Sequence, residues 1–406
     1  MDFAHTPKAL DYIKRVHDFM DTHIFPIEKE LYDTNHEVNG SGDWTKWQEI
    51  PQITELKQKA KDAGLWNLFL PDAKLGKGLT TVEYAPLAEA MGRILFGAEI
   101  FNCNAPDTGN MEVLYHFGNE QQQAKWLTPL LAGEIRSVFG MTEPEVASSD
   151  ATNMAATIED KGDHLLLNGT KWWSTGLGHP KAKVMIFMGL SNPENDKHNQ
   201  HSMVIVPLDT DGVTIKRMLT AYGDFDGPYG HGEVQLDNVK VPKENLLVGL
   251  GKGFAIAQGR LGPGRIHHCM RAIGMTEKAL ELAIKRGKQR VAFGRPLIEL
   301  GGNKERVAKA RMAIEQARLL TMQAAWRIDN LGVKNAMVDI SAIKVVVPNM
   351  LQDVVDFAVQ IHGGGGVCND FPLARFAAGA RSLRLADGPD EVHMAMVSRL
   401  ELKKYK

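Results

Sequence analysis

Cysteine is scarce in this chain. Three stand among 406 residues, Cys103, Cys269 and Cys368, far apart in sequence. That spacing offers neither a disulfide framework nor a metal-ligand pattern, so no metal is expected. Each thiol is expected to act as a small buried apolar residue. Long apolar runs are missing too: no stretch approaches the roughly 20 residues needed to span a bilayer. Nor does charge of one sign dominate. Lys and Arg number 47 against 49 Asp and Glu, a net charge of -2, which argues against a nucleic-acid partner. Met1-Asp2-Phe3-Ala4-His5 lacks an apolar signal core, and acids appear early, unlike a transit peptide. The ending Lys403-Lys404-Tyr405-Lys406 is not a peroxisomal address. A cytoplasmic, reducing setting fits these absences best.

What is present is ordinary for a globular chain, 44% hydrophobic and 24% charged residues. The length predicts two or three domains. Residues 1–137 read as helices joined by short loops. Ile13, Val16, Phe19 and Met20 recur at helical spacing. Residues 51–63 are amphipathic and stop at Gly64. Residues 81–92 put Tyr84, Leu87 and Met91 on one face, with Thr81 as the N-cap, and residues 121–131 stop at Gly133. Residues 138–247 change character. Residues 155–158 and 164–167 flank the turn-forming Glu159-Asp160-Lys161-Gly162-Asp163. Asn168-Gly169 signals a second turn. Residues 184–188, 203–206 and the alternating 232–236 read as strands, and 191–201 as a mobile loop. Together they predict a small antiparallel β domain. Over 248–406 the helical period returns, at 254–286, 303–330 and 338–361, with Pro348 kinking or starting a helix. The fold class is mainly α with a β insert: an N-terminal helical domain, the β domain, then a C-terminal four-helix bundle.

Two stretches near the C-terminus organise the rest. Val347, Leu351, Val354, Ala358 and Ile361 share one helical face and lead into Gly363-Gly364-Gly365-Gly366. There the backbone can bend and approach a flat or charged group; a lone glycine run is also often just a flexible loop. One helix later, Ala386-Asp387-Gly388-Pro389-Asp390-Glu391-Val392-His393 sets a carboxylate at a helix junction, able to project into a cleft. Earlier, Met141-Thr142-Glu143-Pro144-Glu145-Val146-Ala147-Ser148-Ser149-Asp150 leads a strand into a loop of hydroxyls and N–H groups suited to a flavin edge or a phosphate. Read alone, Thr142-Glu143-Pro144 is as readily a turn. Asn168-Gly169-Thr170-Lys171-Trp172-Trp173-Ser174-Thr175-Gly176 holds two tryptophans, of which Trp172 fills the core and Trp173 is free to stack. Gln289-Arg290-Val291-Ala292-Phe293-Gly294-Arg295-Pro296-Leu297 follows a basic run that alone reads as a solvated helix face.

Taken in order, these motifs resemble the signatures of the acyl-CoA dehydrogenase family, flavoenzymes that desaturate acyl-CoA thioesters, over nearly the whole chain. The resemblance implies FAD as cofactor. It puts Met141 and Thr142 at the flavin ring, Trp173 against the ring face and Thr175 at its edge nitrogen. Ser149 would lie near the FAD phosphates or the CoA arm, and Gln360 and Gly364 beside the adenosine. Arg290 and Phe293 would serve the pyrophosphate, often of a neighbouring subunit, which implies an obligate homo-oligomer, tetramer or dimer. Glu391 would contact flavin or adenosine. Ser148, Arg265 and Gly388 would border the substrate. Two departures from the family stand out. The 141–150 loop is one residue longer, with Glu145, Val146 and Ala147 in place of glycines. At the place of the family's catalytic base, usually Glu, this chain has Asp387, which the resemblance makes the candidate base. Some members supply the base from a helix position just before an Arg, here Gly264. No carboxylate stands between Lys252 and Arg271, which leaves Asp387. His267 and His268 read as structural.

The implied chemistry needs a base for a weakly acidic α-proton, donors for the thioester oxygen, and hydride loss from the β-carbon. Asp387 is expected to act with a pKa raised by an apolar cleft. The product would be trans-2-enoyl-CoA, as in fatty acid β-oxidation, with electrons passed to an electron-transferring flavoprotein. The motifs look closest to a subgroup whose eukaryotic members carry an additional N-terminal kinase-like domain. The alternatives are an acyl-CoA oxidase, another acyl-CoA-transforming flavoprotein, or a non-catalytic acyl-CoA or flavin-binding scaffold.

Overall fold

The computed structural model describes residues 4–405; the readings made on Met1-Asp2-Phe3 and on Lys406 lie outside them. The chain opens with α1 (Pro7–Phe19), α2 (Glu28–Asn39), α3 (Pro51–Asp62), α4 (Thr81–Gly92), α5 (Gly97–Ile100), α6 (Asp107–Phe117), α7 (Glu120–Gln122) and α8 (Thr128–Ala132). At α1 the Thr6 hydroxyl accepts from Ala9 N–H, beside Pro7 at the first helical position. At α4 the cap is Thr80, not Thr81. Thr80 Oγ1 accepts from Glu83 N, and Glu83 Oε2 accepts from Thr80 N. Both threonines precede the apolar run, and the glutamate three residues on selects the first. α8 closes at Gly133 with a left-handed φ of 71°.

The sheet holds β1 (Arg136–Gly140), β2 (Thr157–Asp160), β3 (His164–Thr175), β4 (Ala182–Leu190), β5 (His201–Pro207), β6 (Val213–Leu219) and β7 (His231–Pro242), in the order β1-β4-β2-β3-β7-β6 with β5 also on β4. Its long ladders are antiparallel except β1 on β4, which is parallel. β4 is buried on both faces. Val184, Ile186 and Met188 join the helical core, while Met185 and Phe187 join the core within the β domain. Strand alternation thus feeds two cores, so the sequence of β4 is an unbroken apolar run. Asn168-Gly169 is not a turn: it lies inside β3, where the register against β7 shifts after Leu167. Gly169 has φ 137°, and a Cβ there would stand 2.4 Å from that of Ala156. Glycine here admits a bulge and a close strand contact rather than a reversal.

The rest is helical: α9 (Gly253–Gln289), a small hairpin of β8 (Val291–Ala292) and β9 (Arg295–Pro296), then α10 (Asn303–Leu331), α11 (Met337–His362), α12 (Leu373–Leu383) and α13 (Asp390–Leu402). α11 runs through Pro348 without a break. Cys103 and Cys269 are buried, but Cys368 is exposed; it follows the glycine run, where the chain crosses the surface. Among the described residues no helix is long and apolar enough to cross a membrane.

Candidate active site

α12 ends at Leu383 and α13 begins at Asp390; the turn between them carries Asp387 and Gly388. Their φ values are 56° and 102°. Asp tolerates this region better than most side chains, and glycine enters it freely. The turn is pinned at one atom, the Asp387 carbonyl, which accepts from Arg265 Nε at 3.0 Å and from His393 Nε2 at 3.2 Å. Facing a carbonyl, His393 Nε2 must carry the proton. Burial and then Arg265 push the His393 pKa down to about 4, so the ring is neutral. A Cβ on Gly388 would stand 3.0 Å from His393 Nε2, so only glycine lets the turn close here. The N–H groups of Asp387 and Gly388 donate to nothing among the described residues, which leaves two donors beside the carboxylate.

α9 forms the facing wall. Arg260, Gly264, His268 and Arg271 are spaced by four, four and three residues and share one face. Gly264 lets the turn come close: the one atom within 4 Å of a Cβ built on it is Asp387 Oδ2, at 3.8 Å. His268 Nε2 lies 3.5 Å from the same oxygen, and Arg271 donates to His268 Nδ1 at 3.2 Å. From α11, the buried Lys344 donates to the Leu383 carbonyl at 2.6 Å. Arg260, only 8% exposed, donates from Nε to Asn110 Oδ1 at 3.1 Å and lies 3.8 Å from the centre of the Phe139 ring.

The expected rise in the pKa of Asp387 is reversed. Burial does oppose its ionisation, but His268, whose Nε2 faces it, and then the cations Arg260, Lys344 and Arg265 outweigh burial and hold the carboxyl below its usual value. The cleft at Asp387 is cationic rather than apolar. Glu112 does not offset it. Burial, only partly countered by Arg260, pushes that carboxyl up to about 8, so it is neutral at pH 7. Arg265 is buried against the turn.

A second group gathers where β1 meets β3. The Met141 carbonyl accepts from Lys171 Nζ at 2.9 Å and the Thr142 carbonyl from Trp172 N at 2.9 Å. Lys171 also pairs with Glu143 at 2.6 Å, and Glu143 accepts from Ala155 N and Ala156 N. The Thr-Glu-Pro segment is therefore braced from beneath by its glutamate. The Ser148 hydroxyl accepts from Glu143 N at 2.9 Å within the loop, and Ser149 is exposed. A second register shift in β3 falls between Lys171 and Ser174, and Trp173 inside it has φ 51°. The bulge turns that ring outward, 42% exposed and 5.5 Å from His231. Thr175 Oγ1 lies 2.9 Å from His231 Nδ1. Trp172 is half-buried, and its Nε1 and Ser174 Oγ are buried with no partner.

A third group lies where α9 and α11 end together, with Gly287 against Ile361. Gln360, Gly364 and Arg290 are exposed there. Phe293, 94% exposed, sits at φ 53° before Gly294 at φ 78°, two positive values of a tight hairpin turn. A Cβ on Gly363 or Gly364 would meet nothing within 4 Å. Glu391 is exposed in the first turn of α13. Within one chain, no hydrogen bond or ion pair among the described residues joins this third group to β3 or to Asp387.

A β domain set between two helical ones, an open Trp173 ring beside unpartnered polar atoms and a carboxylate facing buried cations fit a flavin-dependent oxidoreductase. Family models match the chain in sequence order: acyl-CoA dehydrogenase N-terminal domain at residues 6–134, middle domain at 138–239 and C-terminal domain at 251–401. The Probable acyl-CoA dehydrogenase FadE2 of Mycobacterium tuberculosis is 52% identical over 100% of this chain and 98% of its own. Acyl-CoA dehydrogenase family member 10 of Mus musculus is 50% identical over 98% of this chain, which spans only 37% of that longer protein. A solved chain from Mycobacterium abscessus superposes with a TM-score of 0.97 at 56% identity, covering 100% of both chains. The chain belongs to the acyl-CoA dehydrogenase family, and FAD is its cofactor.

The residues present fit that cofactor. Trp173 offers an open ring face, Trp172 Nε1 and Ser174 Oγ are polar atoms without partners beside it, and the glycine run leaves room for a flat group. Sequence reasoning missed Arg260, His268, Arg271 and Lys344 at Asp387. The spacing of the first three with Gly264 was the available signal; Lys344, on another helix, had none.

Proposed function

We propose that the protein is an FAD-dependent acyl-CoA dehydrogenase in which Asp387 takes the α-proton of an acyl-CoA thioester and the product is trans-2-enoyl-CoA. The observation that carries this is Asp387 Oδ2 lying 3.8 Å from the vacant Cβ position of Gly264. The two places from which the resemblance allows a base converge on one point, and only the turn brings an acid to it. The carboxylate is ionised and ready to accept a proton. Its lowered pKa makes it a weak base, so the α-proton must be acidified by the site. The free N–H groups of Asp387 and Gly388 are the donors suited to the thioester oxygen, where negative charge develops, and the surrounding cations favour that same charge. Bound FAD supplies the acceptor for the β-hydrogen, which leaves as hydride.

Met141, Thr142, Ser149, Trp173 and Thr175 hold the flavin and its phosphates, and Ser148, Arg265 and Gly388 border the thioester and CoA. Arg290, Phe293, Gln360, Gly364 and Glu391 serve the adenosine and pyrophosphate half. Their separation from β3 within one chain, and the bare Phe293 hairpin, support a site completed by a second copy, hence an oligomer. Domains divide at 1–137, 138–247 and 248–406, and an electron-transferring flavoprotein takes the electrons.

Anaerobic mixing with a series of saturated acyl-CoA thioesters tests the reading. Loss of the yellow flavin colour at accepted chain lengths is expected. A colour unchanged by every thioester would leave a scaffold, and oxygen uptake without another acceptor would mark an oxidase.

A further inference from the structure

We propose that His268 is the positioning residue for Asp387: Arg271 fixes its tautomer, and its Nε2–H aims one carboxylate oxygen so that the other is free to take the proton. The inference rests on Asp387 being the base.

The tautomer follows from donor chemistry. Arg271 has only N–H donors, and it reaches His268 Nδ1 at 3.2 Å. Nδ1 must therefore be the bare, accepting nitrogen, and the proton stands on Nε2, which faces Asp387 Oδ2 at 3.5 Å. A second proton on Nδ1 would point at a guanidinium. Burial and then Arg271 accordingly push the imidazole pKa down to about 3, so the contact is a neutral N–H directed at a carboxylate. At 3.5 Å it is about half an ångström longer than a formed hydrogen bond, and contacts of this kind tighten once substrate fills the site. His268 is 26% exposed at its side chain and Asp387 19%, so both border open space. Asp387 Oδ1 accepts no hydrogen bond and joins no ion pair among the described residues.

The arrangement answers a mechanical need. An aspartate has one torsion fewer than a glutamate and hangs here from a backbone at φ 56°. Arg265 and His393 grip its carbonyl, yet nothing else restrains the carboxylate plane. The other titratable or charged groups around the pair are Arg260, Arg265, His267 and Cys269 on α9, Lys344 on α11 and His393 on α13. His267 and His393 are neutral and the Cys269 thiol is pushed up to about 12 by burial. The three cations, and Arg271 behind His268, attract Asp387 without orienting its oxygens.

Two variants of equal polarity separate aiming from packing. A glutamine places its amide nitrogen near the ε position of the imidazole, whereas an asparagine reaches only the δ position. Rates are measured per bound FAD, so partial loss of folded protein does not enter. His268→Gln is expected to reduce its flavin with acyl-CoA within about threefold of the parent rate. His268→Asn is expected to lose at least about tenfold in kcat, with KM little changed. The acid limb of its pH–rate profile should move upward, because Asp387 loses a donor that favours its ionised form. Equal rates for the two variants, or an acid limb unmoved in His268→Asn, would overturn the proposal. A failure of the underlying reading looks different: flavin reduction would survive Asp387→Asn whatever stands at 268.

Discussion

Between the N-terminal helices and the sheet, Glu49, Glu99 and Asp107 meet Lys57, Lys181 and Arg136. Lys57 pairs with both Glu49 and Glu99, Arg136 with both Glu99 and Asp107, and Lys181 with Glu49 at 2.9 Å. At the other buried cluster Asp387 faces Arg260, Arg265 and Lys344, none of which has a side-chain ion pair of its own among the described residues. The first cluster balances and the second does not. A balanced network satisfies its own charges and fastens two domains together. Glu49, Glu99 and His179 bring ligand atoms within 4.8 Å of one another, but Lys57, Lys181 and Arg136 already hold those carboxylates. An unbalanced cluster keeps a surplus of buried positive charge beside Asp387, and that surplus would favour negative charge developing on a bound thioester.

Breaking the balanced cluster should damage stability and spare chemistry. Arg136→Met leaves Glu99 and Asp107 buried without their shared cation, at a cost of about 3–5 kcal/mol. Thermal unfolding should shift well down while flavin reduction per folded molecule stays near the parent rate. An unchanged melting temperature would remove the structural role given to that network.

Moving the acid across the cleft sharpens the other half. Asp387→Gly is expected to abolish reduction, and adding Gly264→Glu restores a carboxylate from α9. Stopped-flow reduction should recover by about tenfold or more over the single variant, since a well-placed general base contributes about 10²–10⁴-fold. No recovery would mean that the two positions do not address the same proton.

Acid titration distinguishes the clusters through linkage. Burial opposes ionisation of Glu49, but Lys57 holds it at about 2, against an ordinary value of 4.5. Its contribution to stability is complete above pH 4.5 and is lost as pH falls toward 2. Chemical denaturation across that window should show stability falling, with a smaller slope in Glu49→Gln. The smallest effect concerns Glu112, which burial raises to about 8. The folded chain retains this proton while the unfolded chain sheds it, so stability declines as pH rises from 4.5 to about 8. Glu112→Gln should flatten that decline.

Much of this was legible in the sequence and some was not. Asp387 stands out because a carboxylate before Gly-Pro marks a helix junction whatever the tertiary structure. The apolar run of β4 and the caps at Gly64 and Gly133 are local signals of the same kind. The Asn168-Gly169 turn failed because a bulge and a reversal use the same glycine, and only the partner strand decides. The sign of the Asp387 shift was not legible. Its cations come from α9 and α11, far from residue 387 in sequence, and only the fold gathers them. His268 looked structural because its partners are found by helical facing rather than by motif.

The most direct test of the central claim is flavin reduction by Asp387→Asn, followed anaerobically after mixing with an acyl-CoA that bleaches the parent enzyme. This isosteric variant is expected to bind FAD to the same extent and stay yellow, reduced about 10³-fold more slowly. Bleaching near the parent rate would show that another group takes the proton and that Asp387 is not the base.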